Sequence, residues 1–386
     1  MLSFDMGRVP PVTFGAGRLD DVPGLLAGLG GGPVLLVADA TLVDLGVVPR
    51  LATALGAARI GCEVAAEIAG EPKEALVDAL CARAREAGAQ AVIGLGGGAA
   101  MDAAKLVASI APSGAPSARF ALGAAPFPSE RLPAIAIPTT AGTGSEMTRT
   151  SIVSTAGGTK NWFWGEELMF AHAFLDPELT LSLPAKLTAW TGMDAVAHAL
   201  EAVTSRSSNA AGRLYGLEAL RILAAALPRA VHHGDDVAAR AQVLWGSTVA
   251  GLALHNCNTH MGHNVSHALG SLSRVHHGLA TGLALDVTLP WLVDRPDGAD
   301  NYARAAEALG AAARADALPA AFSALMRACD VPAALPEVCA EVTPDALAAS
   351  MKSTANHGMS QNAACVVTDA DIDKMAGMVL ALPLEA

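Results

Sequence analysis

"AVIGLGGGAAMDAAKLVASIA" (residues 91–111) runs a short apolar strand into three consecutive glycines and then into an alanine-rich helix. Strand, glycine turn and helix in that order form the unit from which parallel α/β sheets are built. The same turn brings backbone N–H groups and a helix N-terminus to the end of a strand, where phosphate can bind. The flanking sequence repeats the alternation. "PVLLVAD" (33–39), "CEVAAEI" (62–68) and "AIAIPTT" (134–140) read as strands, and "VVPRLATAL" (47–55) and "PKEALVDALCARAREAG" (72–88) as helices between them. Unbroken apolar strands alternating with helices predict a parallel sheet covered on both faces. Residues 111–132, rich in Pro, Ser, Ala and Gly, read as a surface loop.

The texture changes after "LDPELTLSLP" (175–184). From Ala185 onward the sequence offers long helical patterns, such as "AKLTAWTGMDAVAHALEAVTS" (185–205) and "AAGRLYGLEALRILAAALPRAVHH" (210–233), and almost no β-branched runs. This predicts a Rossmann-like α/β domain over 1–182 and an all-helical domain over 183–386, with the active site expected in the cleft between them.

Composition narrows the function. The chain has 386 residues, 52% of them hydrophobic and 16% charged, with a net charge of −12 and no basic cluster. That excludes the footprint of a nucleic-acid binder. The apolar runs read as shorter than the roughly 20 residues of a membrane span, and the N-terminus lacks the pattern of a signal peptide. Cys62, Cys81, Cys257, Cys329, Cys339 and Cys365 form no CxxC pair. They read as free thiols of a cytoplasmic protein.

As a dinucleotide fingerprint the glycine turn is incomplete. Ala99 stands at the last glycine position, and no acidic residue follows about 20 residues on. Two other features point to nucleotide. Asp39 closes a strand, where its carboxylate can take a ribose diol, although an N-cap role is the ordinary alternative. "PTTAGTGSE" (138–146) follows a strand and is dense in the small and hydroxyl residues that let backbone approach a polar ligand.

The histidines carry the rest of the chemistry. Six of the eleven, His255, His260, His263, His267, His276 and His277, fall within residues 255–277. Asp194 and His198 stand four apart on a helical stretch, as do His263 and His267, so each pair shares a helix face. His260 lies three residues before His263 on the same face, and His277 sits in an expected loop before a glycine. A single i,i+4 pair is usually a helix-surface hydrogen bond. Two such pairs plus a third position instead suggest one carboxylate and three imidazoles around a divalent ion, a set that suits Fe(II) or Zn(II).

With these motifs on the page, the chain resembles the iron-containing (group III) alcohol dehydrogenases of the dehydroquinate-synthase-like fold. The resemblance rests on "VTFGAG" (12–17), "GGGAAMDAAK" (96–105), "PTTAGTGSE", "LDPELTLSLP", "GMDAVAHALEA" (192–202), "HNVSHALG" (263–270) and "HHGLATGLAL" (276–285). It implies that Asp194, His198, His263 and His277 bind the metal and that His267 is an active-site histidine outside the ligand set. It implies that Gly97, Gly98, Asp102, Thr139, Thr140, Thr143 and Lys160 serve the cofactor, and that Asp39 faces the adenosine ribose. A carboxylate there repels a 2′-phosphate, so NAD is implied over NADP. The implied activity is hydride transfer between a small alcohol, or its aldehyde or ketone, and NAD(H), in a homodimer. The alternatives are a zinc- and NAD-dependent lyase or cyclase of the dehydroquinate-synthase type and a reductase like maleylacetate reductase. Three departures stand out: Ala99 for the serine of GGGS, Glu71 for a frequent asparagine, and "SQNA" (360–363) for NPR.

Overall fold

A computed structural model describes residues 3–158 and 160–385. The chain divides into two compact units, one of residues 8–140 and 145–182, the other of residues up to Gly7, 141–144 and 183 onward. The run "PTTAGTGSE" therefore changes unit twice: 138–140 and 145–146 lie in the first, 141–144 in the second.

The first unit is built on a six-stranded, all-parallel sheet. Its strands are β1 (Val12–Phe14), β2 (Val34–Asp39), β3 (Cys62–Ile68), β4 (Ala91–Gly96), β5 (Ala134–Pro138) and β8 (His172–Leu175), in the order β1-β8-β5-β4-β2-β3. A separate antiparallel hairpin pairs β6 (Thr150–Ser154) with β7 (Lys160–Trp164). The helices are α1 (Val22–Gly28), the one-turn α2 (Thr41–Asp44), α3 (Val47–Ala57), α4 (Glu74–Glu86) and α5 (Gly98–Ile110). The central strands are buried throughout, save Asp39 at the end of β2, which is why they read as unbroken apolar runs rather than alternating ones. Leu36 and Ile93 stand in register, as do Ile93 and Ile135, and they join Leu26, Leu51 and Leu55 in one core cluster. The expected loop at 111–132 contains two short 3₁₀ segments, Ala111–Ser113 and Ser117–Gly123.

The second unit is helical: α6 (Ala185–Thr204), α7 (Ala210–His232), α8 (Val237–Cys257), α9 (Met261–Leu272), α10 (His277–Val293), α11 (Ala299–Ala308), α12 (Leu318–Ala328), α13 (Pro344–Met351), α14 (Thr354–Gln361) and α15 (Asp369–Leu380). Helices α6, α7 and α8 pack on one another, and α10 lies against α6 and α9. By length and composition α8 is apolar enough to cross a membrane, contrary to the sequence expectation, but most of it is buried among its neighbours. Its Arg240 is buried as well. The guanidinium donates to Thr188 Oγ1 (2.7 Å), Leu183 O (2.9 Å) and Gly234 O (2.9 Å), tying α8 to the start of α6. Each N–H group named has an acceptor, as a buried cation requires.

Candidate metal centre and cofactor turn

Helix α6 sets the frame of the histidine site. Asp194, His198 and Glu201 recur at i, i+4 and i+7 along one face, and all three are buried. Helix α9 brings His263 and His267, and α10 brings His277 as its first residue, not from a loop as the sequence suggested. The glycine after it has a steric reason: a Cβ on Gly278 would stand 2.2 Å from the Trp190 carbonyl oxygen of α6. Only glycine lets the start of α10 approach α6 so closely.

Asp194, His263 and His277 each offer a ligand atom, all within 4.8 Å of one another. Asp194 Oδ1 lies 3.5 Å from His263 Nε2 and 3.5 Å from His277 Nε2. Asp194 Oδ1 and His263 Nε2 are buried and form no hydrogen bond. Direct N–H···O bonds would be about 2.7–3.2 Å, whereas donors about 2.0–2.2 Å from one ion at a tetrahedral angle stand roughly 3.3–3.6 Å apart. The spacing fits atoms that share a cation.

His198 lies beside this trio, its ring stacked on that of His263 with centroids 4.4 Å apart. Its Nδ1–H donates to the Gly142 carbonyl at 3.4 Å, which leaves Nε2 as its lone-pair nitrogen. His267 is buried, with its ring centroid 4.8 Å from that of His277. His260, fully buried, meets Thr204 Oγ1 through Nε2 at 2.9 Å and is a core histidine. His276 packs against the Trp190 ring at 5.0 Å.

The electrostatics follow from burial. Loss of water would raise the Asp194 carboxyl, but His198, His277 and His263 hold it well below the usual carboxylate range. Burial brings His198 down to about 4, only partly offset by Asp194, so its ring is neutral and able to act as a ligand. Burial alone would also lower His263, yet Glu201 and Asp194 push it up to about 9. One imidazole held between two buried carboxylates marks a place that attracts positive charge. Glu201 is the residue that sequence reasoning missed. Its signal was present, since it is the one carboxylate on the apolar stretch "HALEAV" and shares the face of Asp194 and His198.

In the first unit, the glycine turn and Asp39 are joined directly. Asp39 Oδ2 accepts the Gly97 N–H at 2.7 Å, and burial raises its pKa against that hydrogen bond. Gly96 has φ +148°, and a Cβ there would lie 2.3 Å from Asp39 Oδ2. Gly97 is the N-cap of α5, Gly98 is its first residue, and no side chain caps the helix. Its first N–H groups are therefore open to an anion. Thr139 donates its N–H to Gly96 O at 2.9 Å, and the Thr140 side chain lies over Gly97.

Asp102 and Lys160, both expected on the cofactor side, have partners within the unit. The Asp102 carboxylate accepts from Ser145 Oγ (2.6 Å) and from the Ile152 N–H (2.9 Å), with Lys105 Nζ 3.8 Å away. It ties Ser145 and the hairpin to α5. Lys105 is buried and brought down to about 8. Lys160 Nζ pairs with Glu71 Oε2 at 2.9 Å, while Glu71 Oε1 accepts from Ser154 Oγ. The residue that departs from asparagine is thus the one that holds the lysine. Thr143 lies in the 141–144 segment and belongs to the helical unit.

Residues 10–177 match the iron-containing alcohol dehydrogenase family, and residues 188–375 match the family's C-terminal domain. Long-chain-alcohol dehydrogenase 1 of Geobacillus thermodenitrificans is 33% identical over 286 residues, 73% of this chain and 72% of its own length. The sulfoacetaldehyde reductase of Bilophila wadsworthia is 31% identical over 334 residues, 86% and 84% of the two chains. The crystal structure of sulfoacetaldehyde reductase from Bifidobacterium kashiwanohense in complex with NAD+ superimposes with a TM-score of 0.89 at 27% identity, covering 99% of this chain and 100% of the other. The chain belongs to the iron-containing alcohol dehydrogenase family and is an oxidoreductase of that class.

Proposed function

We propose that this chain catalyses reversible hydride transfer between a small, largely uncharged alcohol, or its aldehyde or ketone, and NAD(H). A divalent ion at Asp194, His198, His263 and His277 is part of this reading, Fe(II) first and Zn(II) as the alternative. The observation that carries it is the convergence of Asp194, His263 and His277 within 4.8 Å on buried helices. When bound, the ion would supply Lewis acidity that favours alkoxide over alcohol, and NAD would supply the hydride acceptor.

The chain's own residues do the rest. The Asp194 carboxylate, the neutral His198 ring and the imidazoles of His263 and His277 form a preorganised donor set, with His263 releasing a proton as an ion binds. His267, with its ring 4.8 Å from that of His277, would take up the proton leaving the substrate hydroxyl and pass it outward. Gly98 would present its N–H group to the cofactor phosphates, and Gly97, whose own N–H is held by Asp39, would line them without a side chain. Thr139, Thr140 and Thr143 would serve the cofactor, and Asp39 would face the ribose diol. Asp102 and Lys160 would act on the cofactor side indirectly, by fixing the loop and hairpin they are tied to.

A small substrate is supported by the scarcity of positive charge: between residues 255 and 294 the only lysine or arginine is Arg274. Dehydrogenase and reductase relatives favour this chemistry over a cyclase reaction. A cytoplasmic setting is supported by six free cysteines, and a homodimer rests on family resemblance alone.

The test is turnover on a panel of simple alcohols, followed as NADH formation. Activity should disappear with a chelator and return on adding Fe(II) or Zn(II). Fully metallated protein that binds no NAD would sink the dehydrogenase reading.

A further inference from the structure

Glu201 makes an unusual set of contacts for a carboxylate with no solvent exposure. Its Oε2 accepts the Nδ1–H of His263 at 2.5 Å, its Oε1 accepts the Gly262 N–H at 2.6 Å, and His260 Nδ1 stands 3.2 Å from Oε1. Among the described residues no lysine or arginine pairs with it. A carboxylate taken out of water without a guanidinium or ammonium partner costs several kcal/mol, on the order of what a fold can lose. It is retained here against the back of one particular imidazole.

The proton count gives that contact a consequence. Once an ion takes the place of its second proton, the imidazole of His263 carries one N–H, and Glu201 draws it to Nδ1. Nε2 is then left with its lone pair, turned toward Asp194 Oδ1 at 3.5 Å. Two lone-pair atoms facing each other in a dry interior repel unless a proton or a metal cation stands between them, and the metal takes the proton's place when it binds.

We propose that Glu201 is a positioning residue of the metal centre. It fixes His263 as the Nδ1–H tautomer with Nε2 presented to the ion, makes that nitrogen more basic, and adds a second negative charge behind the ligands. His260, anchored to Thr204 Oγ1, stands behind the carboxylate and completes the buried array. Carboxylate, histidine and metal in series hold the ring orientation and raise ligand basicity. This inference rests on the metal reading above.

The test is Co(II) titration of chelator-stripped wild type, Glu201→Gln and Glu201→Asp, read as Kd by chelator competition and as the ligand-field spectrum, with circular dichroism to show the fold. Glu201→Gln should weaken Co(II) binding about 10–100-fold with an altered spectrum, as loss of a carboxylate behind a ligating histidine does. Glu201→Asp, which keeps the charge, should lose less. Unchanged Kd and spectrum in Glu201→Gln would overturn the positioning role while the metal reading stood. Wild type that bound no Co(II) would instead overturn the metal reading, and this inference with it. Where Glu201→Gln does not fold, ¹⁵N-histidine spectra of Zn(II)-loaded wild type decide the point. A protonated Nδ1 on His263 is expected, and a protonated Nε2 would refute the proposal.

Discussion

Asp39 is the residue on which cofactor choice turns in the proposed reading. Its carboxylate is fastened to the Gly97 N–H, so its position is shared with the turn expected to hold the phosphates. Placing a 2′-phosphate against it would set two negative charges together, and such juxtapositions cost several kcal/mol. Asp39→Gly should therefore shift the NADP-to-NAD ratio of kcat/KM toward NADP by roughly tenfold or more, about 1.4 kcal/mol per factor of ten. Steady-state kinetics with both cofactors measure it, and an unchanged ratio would show that Asp39 is not at the ribose. The place of Asp39 at the end of a strand was legible in sequence. Its bond to Gly97, 58 positions away, was not, because a hydrogen bond between distant residues leaves no local pattern. The same holds for Lys160, whose partner Glu71 was visible only as an oddity in "GEPK".

At the scale of elements, the turn from β4 into α5 carries a tight steric demand. Gly96 combines φ +148° with a neighbour that a Cβ would strike. Gly96→Ala should destabilise the protein by about 1–3 kcal/mol, the usual cost of a side chain in such a conformation, and should weaken NAD binding by displacing Asp39. Gly56→Ala, within α3 and facing open space, should be neutral or stabilise by up to about 1 kcal/mol. Urea unfolding of the pair separates the two cases, and equal midpoints would show that the turn carries no strain. The central strands were readable because burial on both faces leaves continuous apolar runs. Strands β1 and β8 and the β6–β7 hairpin were not identified as strands. The first two span three and four residues, too short for any period to show, and the hairpin mixes polar and aromatic residues. Helix α6 was legible as a helix. Which of its faces mattered became clear only when α9 and α10 were seen against it.

For the molecule as a whole, the metal reading predicts a stability linked to the ion. Asp194 and the histidines converge only in the folded helical unit, so an ion binds the native state and not the unfolded chain. Free metal at 100 times its Kd adds about 2.7 kcal/mol by mass action. Chelation should therefore lower the melting temperature, and added Fe(II) or Zn(II) should restore it in proportion to the logarithm of its concentration. A melt that ignored both treatments would place the ion, if any, outside the folded centre. Differential scanning calorimetry decides the matter, and it also shows whether the two units unfold in one transition or two.

The sequence alone determined the class of architecture and singled out the acid and imidazole side chains proposed to hold a metal. Both are written in short-range periodicity: apolar runs that alternate with helices, and acid and imidazole four residues apart on a helix face. Tertiary structure decided the rest. It selected His263 over His260 as the nitrogen facing Asp194, placed Glu201 behind it, turned His198 by the Gly142 carbonyl, and locked Asp102 and Lys160 into internal pairs. These choices depend on which helix or loop packs where. That depends on steric details, such as the space left by Gly278, that no local pattern of residues encodes.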